Sequence, residues 1–348
     1  MKIIDYISLF LITVNTIITC TNQTFTPSSA WSSFAQENTL SRTELTRHFM
    51  EDCKRDVIQN DHIPNPTHQN TFRIATYNIH LWRPAADALN TPFDYTRHDH
   101  FNAIVETIKN IDADILVTEE MLIFDWSAIK KAFENIGYNC SLNSFAQTGD
   151  YHGFPFGTMI FSKIKTTKPC LNKIYAVQHM SSPEQQSFIR TVIELPNRQE
   201  LVLYGTHLDV HDNTEQVRRG QVQELIDYAH KETSACIVAA DFNAIRAQDY
   251  QYTIDTVPVW RLLNDDHKRR TGFDAPTQAL TLFQEHNFSD CFAKADLQSP
   301  YYSVWNGTLV DFLWLNKHWN LPIDGCYVYY NSLSDHLPII MDIQLGEK

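Results

Sequence analysis

Six short segments, in one order along the chain, carry carboxylate, amide or imidazole side chains that end or follow a β-branched, apolar run. They are Thr76-Tyr77-Asn78-Ile79-His80, Glu119-Glu120, Thr206-His207-Leu208-Asp209, Asp241-Phe242-Asn243, Asp311-Phe312-Leu313 and Ser334-Asp335-His336. Such side chains pack poorly at the ends of buried strands, but they are well placed to meet at the rim of a sheet. Together they suit cleavage of a phosphoester, which requires charge neutralisation on the phosphoryl oxygens, a deprotonated water and a proton for the leaving group.

Three of these residues offer hard oxygen ligands for a divalent cation. Glu120 and Asn78 lie at two predicted strand ends, and Asp335 adds a third ligand, directly or through water. Mg²⁺ and Mn²⁺ prefer one or two carboxylates and keep several waters. The residues therefore predict a Mg²⁺ site that Mn²⁺ would also fit.

Five further residues are candidates for acting on water and phosphate. Asp311 and His336 suggest a carboxylate–imidazole pair, in which the acid fixes the tautomer and supports the charged ring. His207 offers a second imidazole. Asp241 and Asn243, two residues apart on a turn expected to be extended, can point the same way and hold a water or a phosphoryl oxygen.

Neighbouring polar residues have plainer interpretations. His80, Asp209 and His211 are expected at the surface or in support of the site, and Glu119 is expected to be a solvated neighbour of Glu120.

Hydrophobic periodicity predicts alternating strands and helices that would position these residues. The predicted strands are 72–79, 114–118, 158–161, 188–195, 201–206, 235–240, 309–315, 327–330 and 339–345, and the predicted helices are 101–108, 126–136 and 214–230. Mixed hairpins and crossover helices indicate an α/β fold, with two sheets packed face to face and helices outside. Residues 71–348 are interpreted as one catalytic domain.

The beginning of the chain has the pattern of an export signal. Lys2 precedes an apolar stretch that is too short to span a membrane as a helix, so residues 1–20 are interpreted as a signal peptide. A membrane anchor or a buried first helix are the alternatives. Residues 21–70 are predicted to be a polar segment with one short helix.

The expected location follows from this leader. A secreted, extracellular protein is the first interpretation. The residues before Cys20 also resemble a bacterial lipoprotein cleavage box, so a periplasmic protein or one tethered to a membrane through Cys20 is the alternative. Six other cysteines suit disulfides in an oxidising compartment, but they allow about 15 connectivities and the sequence does not choose among them.

The net charge restricts the partners. A formal charge of −13 argues against broad, salt-dependent docking onto nucleic acid or anionic membrane. It does not exclude a polyanionic substrate, because a bound divalent cation can dominate the local field.

The ordered set resembles the endonuclease/exonuclease/phosphatase superfamily, the deoxyribonuclease I-like metal-dependent hydrolases, over roughly residues 72–345. The resemblance implies a four-layered α/β sandwich. It implies that Asn78 and Glu120 bind the metal, that Asp335 joins the metal or the orienting group, and that His207 and Asn243 contact the phosphate. It also implies that Asp241 orients the attacking water or a phosphoryl oxygen, and that Asp311 pairs with His336, the base. Glu119 stands where members often have Gln.

The resemblance implies a divalent-metal-dependent phosphoester hydrolase, and a phosphodiesterase or endonuclease acting on nucleic acid is the first choice. A sphingomyelinase-like lipid phosphodiesterase or a phosphoinositide phosphatase is the alternative, followed by a non-catalytic binding protein on the same scaffold. The expected partner is the phosphoester substrate, nucleic acid or a phospholipid head group, with no obligate protein partner and a monomeric state. Aromatic residues in two loops are candidates for substrate contacts, by stacking on bases or entering a lipid interface: Tyr151, Phe154, Phe156, Tyr301, Tyr302 and Trp305.

Overall fold

The computed structural model describes most of the residues from position 70 onward. The described residues are 63, 65, 70–83, 98–144, 154–164, 166–167, 170–179, 185–246, 277–297, 303–304, 308–329, 331 and 333–346. The predicted signal peptide and almost all of the segment 21–70 lie outside them, as do Tyr151, Tyr301, Tyr302 and Trp305.

The first sheet contains six strands. They are β1 (Thr71–Asn78), β2 (Ile115–Leu122), β3 (Cys140–Ser144), β4 (Phe156–Ser162), β11 (Ile323–Val328) and β12 (Ile339–Gln344). Their spatial order is β11-β12-β1-β2-β4-β3. The central pair β1–β2 is parallel, and β1 pairs antiparallel with β12 on its other side.

The second sheet has the same number of strands and a similar plan. It contains β5 (Leu171–Ile174), β6 (Ser187–Glu194), β7 (Glu200–His207), β8 (Ala235–Asp241), β9 (Ser289–Asp290) and β10 (Asp311–Leu315). Their order is β5-β6-β7-β8-β10-β9. Here β7 and β8 are parallel, and β8 pairs antiparallel with β10.

Helices cover the outer faces of the two sheets. They are α1 (His98–Ile111), α2 (Trp126–Asn135), α3 (Gln216–Ala229), α4 (Gln278–Glu285) and α5 (Cys291–Lys294). In α1, Phe101, Ile104 and Ile108 recur at helical spacing and are buried against the first sheet. The N-terminus of α2 is capped by Asp125, whose carboxylate accepts a hydrogen bond from the Ala128 amide.

The inner faces of the sheets share one apolar core. Ile74, Val117 and Ile160 of the first sheet pack with Leu203 of the second, and all four are buried. At Gly205 the sheets come so close that an added Cβ would lie 3.0 Å from Val117 Cγ1. Gly205 therefore allows the sheets to meet beside the strand ends that carry the polar segments.

This architecture confirms the expected four-layered α/β sandwich. The predicted strand 327–330 overlaps only the end of β11, which begins at Ile323 and ends at Val328, with a register irregularity between Ile323 and Gly325. The edge strands β3 and β5 and the helix α4 were not predicted. Among the described residues, no helix combines the length and apolarity needed to cross a membrane.

A disulfide joins Cys291, at the start of α5, to Cys326 in β11. It links the end of the second sheet to the edge of the first. Cys236 is a free, buried residue of β8, as expected for a small hydrophobe, and Cys170 is free and exposed.

Candidate active site

The polar segments meet at one end of the sandwich. Asn78, His207 and Asp241 are the last residues of β1, β7 and β8, and Asp311 is the first residue of β10. Since β10 runs antiparallel to β8, its first residue lies directly opposite Asp241. His336 shortly precedes β12, the antiparallel neighbour of β1, so it reaches the same end.

Asp311, His336 and Asp241 form a buried row. His336 Nδ1 donates a hydrogen bond to Asp311 Oδ2 at 2.9 Å, and His336 Nε2 lies 3.6 Å from Asp241 Oδ2. The imidazole is thus held between two carboxylates with its tautomer fixed by Asp311.

The three ionisable groups of this row shift one another's pKa values. Burial alone would lower the pKa of His336, but Asp311 and Asp241 outweigh it and raise that pKa well above its ordinary value. Burial would raise the pKa of Asp241, but His336 and His207 hold it below its ordinary value. Burial raises the pKa of Asp311 to about 6. Carboxylates with pKa values driven apart are typical of sites that move protons.

His207 and Asn243 lie on the other side of Asp241. His207 Nε2 is 3.4 Å from Asp241 Oδ2 and 2.8 Å from Asn243 Nδ2. Burial would lower the pKa of His207, but Asp241 and Glu120 raise it to about 9. Donation from Asn243 requires an unprotonated Nε2, whereas a protonated Nε2 donates to Asp241.

The turn that carries Asn243 is tighter than expected. Asn243 has φ 47°, in the left-handed region, so the extended turn predicted from the sequence was wrong. Its amide donates to Asp241 Oδ1 at 2.9 Å, and its side chain donates to the Leu208 carbonyl at 3.0 Å. Asn tolerates this conformation better than most residues, and the turn aims its side chain at His207.

Asn78 and Glu120 lie where the two sheets meet. Asn78 Nδ2 donates to Asp241 Oδ2 at 2.9 Å and to Glu120 Oε1 at 3.2 Å. Glu120 has φ 51° within a register shift of β2 against β4, between Thr118 and Met121. The bulge turns the Glu120 carboxylate toward Asn78, although both flanking segments remain in the strand.

The donor set around Glu120 fits a divalent cation. One ligand atom from each of Glu120, His207 and Asp241 lies within 4.8 Å of the others, and a second group with the same spacing contains Asp241, Asp311 and His336. The carboxylates here outnumber the imidazoles, which favours a bound cation. Ligation by Asn78 requires its amide oxygen to turn toward Glu120, because that oxygen now accepts the His80 amide at 2.9 Å.

Glu119 is not the solvated neighbour that the sequence suggested. It is fully buried, and its Oε1 accepts the Thr76 hydroxyl at 2.7 Å while Oε2 makes no hydrogen bond. Burial raises the pKa of Glu119 to about 8. At neutral pH it is therefore a mainly protonated acid beneath the site.

Asp335 lies apart from the group of Glu120, His207 and Asp241. Its Oδ1 is 3.5 Å from His80 Nδ1, and its side chain is 15% exposed. His80 was expected at the surface or in support of the site, and it is buried beside Asn78.

The segment after His207 is held by a buried network. Asp209 is fully buried, and its Oδ1 accepts the amides of His211 and Asp212. Arg218 and Gln221 of α3 bind this segment from below, through the Asp209 carbonyl and amide respectively. These residues support His207, in keeping with the expectation for Asp209.

Two hydroxyl groups that sequence reasoning passed over also shape the site. Ser334 Oγ donates to the Asn78 carbonyl at 2.7 Å and accepts the His336 amide. Ser303 Oγ accepts the amides of Val310 and Asp311. Ser334 stood within a quoted segment, whereas no sequence signal singled out Ser303. Of the aromatic candidates that are described, Phe154 is half-buried and Phe156 is buried, and both pack with the first sheet.

No protein-family model and no curated protein matches the chain. Solved structures do match. An endonuclease/exonuclease/phosphatase from Beutenbergia cavernae has a TM-score of 0.58 and 15% identity, over 80% of this chain and 72% of that chain. The human nocturnin catalytic domain, with bound sulfate anion, has a TM-score of 0.53 and 20% identity, over 79% of this chain and 95% of that chain. D. rerio TDP2, complexed with single-strand DNA product, has a TM-score of 0.53 and 14% identity, over 80% of this chain and 100% of that chain.

Proposed function

We propose that this chain, whose fold is that of the endonuclease/exonuclease/phosphatase proteins, is a divalent-metal-dependent hydrolase of phosphodiesters. The observation that carries the proposal is the row Asp311–His336–Asp241. This row lies beside Glu120 and His207 at one end of the sandwich. The fold alone does not fix the reaction, but this combination of groups suits attack of water on a phosphoester.

His336 is proposed as the base. Asp311 holds Nδ1–H, which leaves Nε2 directed toward Asp241. Nε2 is thus the atom that takes a proton from the attacking water, and Asp241 beside it orients that water. Asp311 and Asp241, on either side of the ring, would stabilise the imidazolium that this proton transfer produces.

His207 and Asn243 are proposed to contact the phosphate. The raised pKa of His207, about 9, keeps the ring positive at neutral pH, so it can donate to a phosphoryl oxygen. Asn243 Nδ2, only 2.8 Å from the ring, can donate to the same group. Both side chains are partly exposed and are therefore accessible to a substrate.

Asn78, Glu120 and Asp335 are proposed as metal ligands, directly or through water. A cation bound there would neutralise the phosphoryl oxygens and lower the pKa of a coordinated water. Oxygen ligands of this kind favour Mg²⁺, with Mn²⁺ as a substitute. Ligand atoms of Asp241 and His207 lie within 4.8 Å of one from Glu120, so both side chains would interact electrostatically with a cation bound at Glu120.

A secreted nuclease is the proposed biological form. The disulfide between Cys291 and Cys326 supports an oxidising compartment. The D. rerio TDP2 structure, which has the same fold and contains a single-strand DNA product, supports a nucleic-acid phosphoester as the substrate. The nocturnin domain, with its bound sulfate anion, supports a site that accepts an anionic group. A monomer with no obligate protein partner remains our proposal.

A lipid phosphodiesterase is the second candidate, and one observation favours it. Leu171, Ile174 and Val177 are exposed apolar residues in and after the edge strand β5. Val177 adjoins the site's supporting network, because its carbonyl accepts the Gln221 side chain at 3.3 Å. Exposed apolar side chains near a site suit an interface with lipid.

A substrate panel tests the proposal. The purified chain would be offered plasmid DNA, RNA, sphingomyelin and phosphoinositides, each with Mg²⁺ and with chelator, beside the Asp241→Asn variant. Metal-dependent cleavage of DNA or RNA that the variant lacks is the expected result. Lipid turnover without strand cleavage would establish the second candidate. Absence of turnover on every substrate would contradict the hydrolase proposal.

A further inference from the structure

The backbone directly after Asn78 is strained. His80, Leu81 and Trp82 have φ values of 47°, 55° and 62°, so three consecutive residues other than glycine occupy the left-handed region. Such conformations are energetically costly and persist only where the surrounding structure fixes them. Strain of this kind concentrates at functional sites.

Trp82 is one of the residues that hold this turn. Its indole Nε1 donates to the Leu122 carbonyl at 2.8 Å. Its ring meets Phe101 edge-on at 4.8 Å between centroids, and Phe124 at 6.3 Å. The turn is therefore anchored on β2 and α1 at its far end, which leaves its first residue to face the site.

His80 is directed inward by this geometry. Its amide donates to Asn78 Oδ1 at 2.9 Å, and its side chain is only 10% exposed. The ring nitrogen Nδ1 is buried, makes no hydrogen bond, and lies 3.5 Å from Asp335 Oδ1. A small rotation of either side chain brings these atoms within hydrogen-bond distance.

Asp335 belongs to the segment that carries His336. This segment is fastened to β1, because Ser334 Oγ donates to the Asn78 carbonyl at 2.7 Å. His80 thus spans from the segment after β1 to the carboxylate beside the proposed base. An aliphatic residue would fill a buried position without leaving a polar nitrogen unsatisfied, so packing alone does not account for a histidine here.

We propose that His80 is a positioning residue that holds the Asp335 carboxylate toward a divalent cation bound at Asn78 and Glu120. Carboxylates that act on a metal are themselves commonly oriented by a hydrogen-bond donor, and loss of that donor typically weakens metal binding 10- to 100-fold. This inference rests on the proposed function, because it assigns a partner to one of its metal ligands. It also explains the strained turn, because this conformation directs His80 Nδ1 toward Asp335.

Two substitutions at His80 distinguish the effect of losing the Nδ1 hydrogen-bond donor from the effect of the strained backbone conformation. In His80→Asn the amide nitrogen stands near the place of Nδ1, and in His80→Gly the donor is lost. Both residues tolerate a positive φ. His80→Gln, whose amide nitrogen reaches the place of Nε2 instead, replaces His80→Gly if that variant does not fold. His318→Asn, at an exposed histidine, is the control.

The measurement is Mn²⁺ binding by titration calorimetry, with hydrolysis followed separately. His80→Gly is expected to bind Mn²⁺ about tenfold more weakly than the wild type, and His80→Asn within about threefold of it. The double variant His80→Gly/Asp335→Asn should bind no more weakly than Asp335→Asn alone, because both changes remove one interaction.

Two outcomes would overturn this proposal while leaving the hydrolase intact: Mn²⁺ affinity unchanged in His80→Gly, or a loss that adds in full to that of Asp335→Asn. A wild-type chain that neither binds Mn²⁺ nor cleaves any phosphoester would overturn the proposed function and, with it, this inference.

Discussion

Asp241 and Asp311 are direct partners in the antiparallel register of β8 and β10. Their carboxylates therefore leave the sheet at the same level, and the ring of His336 lies within 3.6 Å of both. Two buried carboxylates at this spacing repel each other unless a positive group separates them. The imidazole fills that role, so the sheet register itself creates the acid–imidazole–acid row on which the proposed mechanism depends.

Replacing Asp311 by Asn tests the role of this row. The amide keeps the shape of the side chain but does not hold the tautomer of His336 or support its charge, so we expect kcat to fall about 10²–10⁴-fold. Steady-state hydrolysis with Mg²⁺ measures the effect, and circular dichroism monitors the fold. Asp296→Asn, at an exposed carboxylate, is the matched control. Wild-type turnover by Asp311→Asn would contradict the assignment.

Glu119→Gln is expected to stabilise the protein above pH 5. Because burial raises the pKa of Glu119 from 4.5 to about 8, the folded state retains a proton that the unfolded chain releases between these values. Wild-type stability therefore decreases as pH rises through this window, and Gln removes that loss. Urea unfolding should show no advantage of the variant at pH 4 and an advantage on the order of 3 kcal/mol at pH 8. An advantage independent of pH would show that Glu119 does not titrate in this way.

Removing the disulfide should lower the stability of the fold without altering the site. Cys291 and Cys326 are 35 residues apart, and closing a loop of this size typically contributes about 2–4 kcal/mol. We expect Cys291→Ser/Cys326→Ser to lose about this much free energy of unfolding. Its KM should be unchanged at a low temperature at which the variant remains folded. Cys170→Ser, at a free and exposed cysteine, is the control. A double variant as stable as Cys170→Ser would contradict the prediction.

Metal binding should be visible in thermal stability. A ligand that binds only the folded state raises the unfolding temperature as its concentration rises above its Kd. We expect Mg²⁺ to stabilise the wild type and to have little effect on Glu120→Gln, which lacks the negative charge but keeps the length of the side chain. Glu134→Gln, on the surface of α2, should respond like the wild type. An equal response of Glu120→Gln would remove Glu120 from the metal site.

Much of the fold and of the site followed from the sequence. Apolar runs with polar residues at their ends located Asn78, Glu120, His207, Asp241 and Asp311, because a sheet brings strand ends to a common edge. The structure gathers these residues together, as expected. The strand sequence does not reveal the register of β8 and β10, so the direct opposition of the two aspartates emerged only from the structure.

Local backbone geometry limited the rest. The left-handed conformations of His80, Glu120 and Asn243 occur at residues other than glycine, so the sequence does not indicate them. Tertiary contacts rather than local preference impose these conformations. Glu119 was expected in solvent because charged residues are seldom buried. The bulge in β2 instead buries the Glu119 side chain and leaves the Glu120 side chain partly exposed. The edge strands β3 and β5 were missed because their short sequences, such as Leu171–Ile174, lack a buried face.

The most direct test of the central claim is hydrolysis of bis-p-nitrophenyl phosphate by the purified chain with Mg²⁺, with chelator, and with His336→Ala in place of the wild type. We predict steady release of nitrophenol that chelator abolishes, that added Mg²⁺ restores, and that the variant lacks although it remains folded. Release that persists in chelator, or that survives in folded His336→Ala, would contradict a metal-dependent hydrolase with His336 as its base.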